Sequence, residues 1–247
     1  MCENINDLLI HNFEKDLEEF NITLNERQTE QFIQYYELLL EWNSFMNLTA
    51  ITQFEDVLKR HFLDSVSIIK AIPDLYNSSK KLIDIGTGAG FPGIPIKIVF
   101  PGLKITLLDS LNKRVKFLNK VISDLKLENI NAIHGRAEDC ARLNELRESF
   151  DLCVSRAVSN LSTLSEYCLP FVKKNGYFIS YKSEKVIKEY ENAQKAIGIL
   201  GGKCETKIEF ELPNSDIYRN LLIIKKEKNT PNKYPRNAGL PIKKPIF

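Results

Sequence analysis

The stretch IDIGTGAGFPG at residues 83–93 decides the fold. It joins a short apolar run, which predicts a β-strand, to an apolar segment that predicts a helix. Glycines at such a turn let the backbone approach a ligand closely and adopt conformations that side chains forbid. The first turn of the following helix directs unpaired N–H groups towards the same place. The stretch therefore predicts a nucleotide-type cofactor site after the first strand of an α/β domain.

Two cofactors compete for this loop. Read from Gly88 it is G-x-G-x-x-G, and Asp109 follows 21 residues later at the end of a predicted strand, a pattern typical of nicotinamide dinucleotide binding. Read from Asp84 it is D-x-G-x-G-x-G, which resembles the first motif of class I S-adenosylmethionine-dependent methyltransferases. In both interpretations the Asp109 carboxylate accepts hydrogen bonds from the ribose hydroxyls. The glycine spacing alone does not separate the two.

The strand pattern downstream favours the methyltransferase. Runs predicted as strands begin at Leu82, Ile105, Ile130, Asp151, Tyr177, Thr206 and Leu221. Helix-length amphipathic segments separate the early runs, which predicts a mostly parallel sheet covered on both faces. The last two strands have no helix between them and predict a terminal antiparallel hairpin, unlike the six-stranded dinucleotide fold. The acidic Glu138 after the third strand and Asp84 inside the first also favour the methyltransferase.

The chain divides into three predicted parts. Residues 1–78 contain apolar positions at three- and four-residue steps and predict an N-terminal helical extension, with Asn25 as a helix cap and a third helix near 54–71. Residues 79–225 form the predicted Rossmann-like methyltransferase domain. Residues 226–247 form a basic C-terminal tail.

Composition excludes several classes of protein. The 247 residues are 43% hydrophobic and 27% charged, which is typical of a globular protein and excludes a disordered, collagen-like or disulfide-scaffold chain. No apolar run reaches the roughly 18 residues of a membrane helix, and the acidic first twenty residues are unlike a signal peptide. Five scattered cysteines and three histidines lack metal-ligand spacing. We therefore expect a cytoplasmic protein, a monomer by default, without a metal site.

Six blocks of sequence resemble the bacterial small-subunit (16S) ribosomal RNA guanine-N7 methyltransferases, also called the glucose-inhibited division protein B family. The blocks are DIGTGAGFPGIP at 84–95, WN with NLTAI at 42–51, RHFLDS at 60–65, DSLNKR at 109–114, SRAV at 155–158 and YPR at 234–236. They follow the expected order, whereas residues 1–41 contain no recognised motif. Leu240 stands where the family pattern leads us to expect a smaller polar residue.

The resemblance implies S-adenosylmethionine as methyl donor and N7 of one guanine in 16S ribosomal RNA as acceptor. The substrate would be the free 16S ribosomal RNA, the small subunit or an assembly intermediate, and the sequence does not separate these three. Transferred residue by residue, the resemblance assigns Gly86 and Phe91 to the methionine end of the cofactor and Ala137 with Glu138 to the adenine, and it makes Gly88 a further cofactor-binding residue. Arg156 closes the pocket towards the RNA. Guanine N7 carries no proton, so no general base is expected and Arg156 has only a positioning role.

Charge is distributed unevenly along the chain. Residues 1–60 carry a net charge of −8 and residues 225–247 a net charge of +6, so contact with RNA is expected from the later part of the chain. Arg156 follows the fourth predicted strand, at the edge where open parallel sheets bind ligands. The other candidates for phosphate contact are Lys113, Arg114, Lys116, Arg136, Lys182, Lys233, Arg236, Lys243 and Lys244.

Three alternatives remain open at this point. The first is a methyltransferase acting on another RNA base or on protein. The second is a nicotinamide-dependent oxidoreductase, although Tyr177 to Lys182 does not supply a Tyr-x-x-x-Lys pattern. The third is a non-catalytic RNA-binding protein, which the intact glycine loop disfavours. His61 is expected to join the helical extension to the sheet rather than to perform chemistry, and Cys153 is expected in the core.

Overall fold

One seven-stranded sheet organises the molecule. The computed structural model describes residues 5–156, 159–183 and 187–246. The strands are β1 (Lys81–Ile85), β2 (Lys104–Asp109), β3 (Ile130–His134), β4 (Phe150–Ser155), β5 (Val172–Lys182), β6 (Gly202–Glu211) and β7 (Tyr218–Lys226). Their spatial order is β3-β2-β1-β4-β5-β7-β6. The first five strands are parallel to one another, and β7 is antiparallel to both β5 and β6. The predicted sheet with its terminal hairpin is confirmed.

Helices cover both faces of this sheet. They are α1 (Ile5–Glu18), α2 (Glu26–Met46), α3 (Phe54–Val57), α4 (Asp64–Val66), α5 (Gly93–Val99), α6 (Asn112–Asp124), α7 (Ala137–Cys140), α8 (Leu161–Cys168), α9 (Ile187–Ile199) and α10 (Leu240–Lys243). A π-helical segment, Leu58–Leu63, joins α3 to α4, and 3₁₀ turns occur at Ser67–Lys70, Pro73–Leu75 and Leu169–Phe171. None of the helices in the described ranges is long and apolar enough to cross a membrane.

The start of α2 follows from its sequence. The Asn25 side chain accepts a hydrogen bond from the Gln28 N–H, and the Gln28 side chain accepts one from the Asn25 N–H. This reciprocal capping box satisfies two backbone donors that the helix itself leaves unpaired. The predicted cap at Asn25 is confirmed. The helix predicted near 54–71 is present as a helical segment from Phe54 to Lys70, but the π-helical stretch interrupts its regular α geometry.

The N-terminal helices share one hydrophobic core with the sheet. Phe32 and Phe62 are fully buried and belong to the same apolar cluster as Leu82 of β1. The next residue of that strand, Ile83, points to the opposite face and joins a second cluster with Cys153, as expected from the alternation of side chains along a strand. Cys153 is fully buried, which confirms its predicted core position. The division of the chain at residues 78 and 225 stays a prediction.

The topology brings the functional residues to one edge. β1 lies between β2 and β4, so Asp84 is paired with Leu107 on one side and Val154 on the other. The carboxyl ends of all five parallel strands therefore meet at the same edge of the sheet, where the chain order reverses and ligands bind in such folds. Residues 157–158, the end of the block quoted at 155–158, lie outside the described residues.

Candidate active site

Asp84 fixes the glycine loop that follows β1. Its Oδ2 accepts a hydrogen bond from Thr87 Oγ1 at 2.6 Å and another from the Gly93 N–H at 2.9 Å. Its Oδ1 is buried without a hydrogen-bond partner among the described residues. Burial raises the pKa of the Asp84 carboxyl from 3.8 to about 7, against the lowering effect of these two hydrogen bonds. The carboxyl group therefore organises the turn from inside the sheet.

The glycines of the loop have different reasons to lack a side chain. Gly86 and Gly88 have φ angles of 70° and 63°, in the left-handed region that other residues adopt at a cost. A Cβ atom built on Gly88 would meet nothing within 4 Å, so this glycine faces open space. A Cβ on Gly93 would lie 2.3 Å from Leu107 Cδ2 and 2.9 Å from Asp84 Oδ2. Gly93 is therefore required by packing, and Gly88 leaves room for a ligand.

Asp109, the last residue of β2, braces the same loop. Its Oδ2 accepts a hydrogen bond from the Gly88 N–H at 2.9 Å, and its Oδ1 accepts one from the Leu111 N–H at 2.9 Å. Arg114 Nη1 lies 3.4 Å from Oδ2. A carboxylate has about four lone-pair positions, so acceptor capacity remains after these contacts. Binding of ribose hydroxyls by Asp109 stays a prediction that the geometry accommodates.

The predicted adenine residues lie at the start of α7. Ala137 is partly exposed, whereas Glu138 is nearly buried. Glu138 Oε1 accepts a hydrogen bond from the Gly239 N–H at 2.8 Å, which ties the C-terminal tail to this edge. Sequence patterns gave no sign of this contact, because 101 residues separate its partners. Contact of Ala137 and Glu138 with adenine stays a prediction.

Arg156 lies at the centre of a network of side chains beyond the end of β4. Its Nη1 donates hydrogen bonds to Asp64 Oδ2 and to the Arg60 carbonyl, each at 3.1 Å. Its guanidinium carbon lies 5.1 Å from the centre of the Phe91 ring, a cation–π contact. Phe91 itself is 6% exposed. The structure thus brings together two of the residues that the resemblance placed in the pocket.

His61 closes this network on the side of the N-terminal helices. Its ring stacks on Phe91 with 4.4 Å between ring centres. Burial, together with the positive charge of Arg156, lowers the pKa of His61 from 6.5 to about 3, so the ring is neutral. Nδ1 lies 3.1 Å from Arg156 Nη2 and therefore accepts, which assigns the proton to Nε2 and makes Nε2 the donor to Thr49 Oγ1 at 2.8 Å. These contacts confirm that His61 joins the helical extension to the sheet.

Asp64 and Arg219 have roles in this network that the sequence did not predict. Asp64 is 3% exposed and accepts a second hydrogen bond, from Arg219 Nε of β7 at 2.8 Å. Asp64 belongs to the RHFLDS block, which was the available signal, but its partners lie 92 and 155 residues away. Two arginines thus share one buried carboxylate beside Phe91.

The basic residues predicted to contact RNA separate into two groups. Lys182 Nζ donates to Glu189 at 2.7 Å, Arg236 donates to the buried Glu166 through its backbone N–H, Nε and Nη2, and Arg114 contacts Asp109. These three cations already have an anionic partner within the chain. The remaining candidates besides Arg156 are exposed: Lys113, Lys116, Arg136, Lys233, Lys243 and Lys244. RNA contact stays a prediction for both groups.

Solved structures show the same fold. M. jannaschii TYW2, solved in complex with AdoMet, is similar with a TM-score of 0.50 and 16% identity, covering 65% of this chain and 74% of that one. A putative transferase from Pyrococcus horikoshii has a TM-score of 0.52 at 14% identity, covering 67% and 64%. With the seven-stranded topology, these similarities place the chain among class I methyltransferase folds.

Sequence comparison identifies the family. A family model described as rRNA small subunit methyltransferase G matches residues 28–217. The protein named ribosomal RNA small subunit methyltransferase G from Lachnoclostridium phytofermentans is 55% identical and covers 95% of this chain and 96% of its own length. Its namesake from Clostridium tetani is 52% identical, covering 91% and 93%. The nicotinamide alternative is thereby set aside, and this chain is a methyltransferase that belongs to the rRNA small subunit methyltransferase G family.

Proposed function

We propose that the protein transfers the methyl group of S-adenosylmethionine to N7 of one guanine in 16S ribosomal RNA, acting on the small subunit or an assembly intermediate. The observation that carries this proposal is the end-to-end similarity, at 55% identity, to a protein named for the small-subunit ribosomal RNA. We further propose that it acts as a monomer in the cytoplasm, where ribosomal subunits assemble.

The residues at the carboxyl edge suit this cofactor. Gly88 faces open space at a backbone conformation that favours glycine, which leaves a cradle that a side chain would fill. Asp109 retains acceptor capacity beside this cradle for ribose hydroxyls. In the proposal Gly86, Gly88 and Phe91 hold the methionine end, and Ala137 with Glu138 hold the adenine. S-adenosylmethionine supplies an electrophilic methyl group on a positively charged sulfur.

The proposed reaction requires no acid–base catalysis by the protein. Guanine N7 has a free lone pair at neutral pH, so no side chain has to remove a proton. The chain's task is to orient the base, because alignment of reacting atoms alone supplies a large part of a rate enhancement. Arg156 and the neutral His61 form a fixed wall around Phe91 for that purpose. The ion pair with Asp64 also offsets the positive charge of Arg156. This reduces repulsion of the positively charged sulfur of S-adenosylmethionine, which is proposed to bind nearby.

The test is transfer of labelled methyl from S-adenosylmethionine to small ribosomal subunits. The subunits should come from cells that lack this protein, and the label should be mapped by nuclease digestion. The expected result is one labelled guanine, released as 7-methylguanine. Label at another atom or base would contradict the proposed acceptor. Absence of label with intact subunits and folded protein that binds S-adenosylhomocysteine would contradict the ribosomal substrate.

A further inference from the structure

Phe45 exposes an aromatic ring on the last turn of α2. Its side chain is 66% exposed, although large apolar side chains near it are largely covered. The ring centre lies 5.5 Å from that of Trp42, and Trp42 lies 5.6 Å from Phe117 of α6. The Phe45 ring thus packs on Trp42, which packs in turn on Phe117, while Phe45 itself faces solvent.

The loop that follows this ring reaches the candidate active site. After α2 ends, the Asn43 side chain accepts a hydrogen bond from the Thr49 N–H at 2.9 Å, which folds the chain back over the end of the helix. Thr49 in turn contacts His61, whose ring stacks on Phe91. Only three residues of chain therefore lie between Phe45 and a residue that contacts the Arg156 network.

The helix α6, which packs against α2, carries two exposed lysines on its first turns. α6 begins just after Asp109 at the same edge of the sheet, and Lys113 and Lys116 are exposed on its first turns. Gln31 Nε2 donates to the Leu125 carbonyl and Trp42 packs on Phe117, so α2 and α6 run antiparallel. Phe45 and the first turn of α6 therefore both lie about one turn beyond the Trp42–Phe117 contact. Neither lysine has an ion-pair partner among the described residues. The acidic group that pairs on this helix, Asp124, binds Lys120 towards the other end.

We propose that Phe45, Lys113 and Lys116 form a docking surface for a single-stranded segment of the RNA substrate, with an unpaired base stacked on the Phe45 ring and phosphates next to the lysines. Exposed aromatic rings combined with lysines are how proteins bind single-stranded nucleic acid. The inference rests on the proposed function, because guanine N7 is hidden in the deep groove of duplex RNA and a single-stranded target leaves its neighbouring bases unpaired. Charge complementarity favours RNA over an apolar protein partner.

Trp42 makes the surface directly observable. It is the single tryptophan of the chain, so its fluorescence reports binding at the adjacent ring without any label. We expect titration with a single-stranded oligoribonucleotide to change this fluorescence. Phe45→Ala should weaken binding about 5- to 150-fold, the range that loss of one stacked base produces. Phe45→Tyr should restore most of the affinity. Tyr76→Ala is the matched control, since Tyr76 is an exposed aromatic residue before β1, at the opposite edge.

The lysines provide a second measurement. For single-stranded RNA, each lost phosphate contact reduces the dependence of log affinity on log salt by about 0.7, so Lys113→Ala combined with Lys116→Ala should reduce the slope by about 1.4. Equal RNA affinity for Phe45→Ala and the parent chain would overturn the proposal. If that variant bound RNA normally but methylated subunits slowly, a ribosomal protein would be the partner and the RNA proposal would fall. Failure of the proposed function is distinct, because it would show as RNA binding without formation of 7-methylguanine.

Discussion

Arg156 and Asp64 meet at 3.1 Å although 92 residues separate them in the chain. Arg156 follows the central strand β4, and Asp64 begins the short helix α4 of the N-terminal extension. Arg219 of β7 donates to the other oxygen of the same carboxylate. The pair therefore fixes the arginine at the ligand edge by anchoring it to a group that both the extension and the antiparallel hairpin hold in place.

Replacing Arg156 by alanine should impair both activity and stability. The variant loses the charged hydrogen bond to Asp64 and the cover over Phe91, and misplacement of the base should lower methylation about 100-fold. Arg219 still pairs with Asp64, so the free energy of unfolding should fall by about 1–3 kcal/mol rather than more.

Urea unfolding and the methyl-transfer assay measure the two effects. Arg60→Ala is the control for stability, because its side chain is about half exposed and its ion pair with Asp56 lies on the surface, where such pairs contribute little. An Arg156→Ala variant with normal methylation of subunits would remove Arg156 from the site.

The sequence predicted those parts of the site that depend on local spacing. Asp84, Gly88 and Asp109 lie in or next to a strand-loop-helix unit whose hydrogen bonds connect residues at most 21 positions apart. Arg156 was found because the end of a central parallel strand has a known position relative to the ligand. Both local residue spacing and the position of a residue at the end of a predicted strand can be read from the sequence.

Contacts between charged side chains that are far apart in the chain could not be predicted from the sequence. Nothing near Asp64 indicates that Arg219, 155 residues away, completes its environment. Arg236 likewise has the sequence context of a solvated residue in a basic tail, while its partner Glu166 lies in the apolar helix α8. Only the three-dimensional path of the tail determines that pairing.

The pH dependence of stability should reveal the buried Asp84 carboxyl. Its pKa is raised from 3.8 to about 7 by burial, so between about pH 4 and pH 7 the folded chain keeps a proton that the unfolded chain releases. The free energy of unfolding therefore falls as pH rises through this range, by up to about 4 kcal/mol for a shift of this size. His61 has the opposite effect on the free energy of unfolding. Its pKa is lowered from 6.5 to about 3, so between these pH values the unfolded chain binds a proton that the folded chain does not, and stability rises with pH.

Asp84→Asn separates the two contributions. The amide oxygen can still accept from Thr87 and Gly93, but the group no longer titrates. We expect the stability of the parent chain minus that of the variant to decrease between pH 4 and pH 7 and to be constant above it. Urea unfolding at intervals of one pH unit measures this difference. Parallel stability curves for the two proteins would show that Asp84 ionises normally in the folded chain.

Two glycines of the same loop, Gly88 and Gly93, should respond differently to substitution by alanine. Gly88→Ala adds a methyl group to open space, so its cost to folding is the left-handed conformation, about 1–2 kcal/mol, while it fills the proposed cofactor cradle. Gly93→Ala places the methyl group against Leu107 and Asp84 and should destabilise the fold by about 1–3 kcal/mol through overpacking.

Calorimetric titration with S-adenosylhomocysteine, together with thermal unfolding, distinguishes the two variants. Gly88→Ala should bind at least about tenfold more weakly while it remains folded, because its methyl group occupies space that the ligand requires. Unchanged affinity in Gly88→Ala would place the cofactor elsewhere than this loop.

Arg236 should matter more for stability than for RNA affinity. Its Nε and Nη2 donate to a Glu166 carboxylate whose side chain is 1% exposed, so Arg236→Ala leaves a buried charge with only the backbone N–H as a partner. Breaking a buried pair in this way costs about 3 kcal/mol, the lower end of the usual range, since that backbone hydrogen bond remains. The double variant Arg236→Ala with Glu166→Gln should recover part of the lost stability, because it no longer buries an unpaired charge.

Lys233→Ala is the matched comparison, since Lys233 is exposed in the same tail and contacts the ring of Tyr234. It should change the free energy of unfolding by less than about 0.5 kcal/mol and, if it contacts a phosphate, reduce the salt dependence of RNA binding by about 0.7. The opposite result, a stable Arg236→Ala variant with weakened RNA binding, would mean that Arg236 leaves Glu166 to bind RNA. The structure favours loss of stability over loss of RNA affinity. The Arg236 guanidinium makes three hydrogen bonds to the buried Glu166 carboxylate, and moving it to a phosphate would leave that buried charge unpaired.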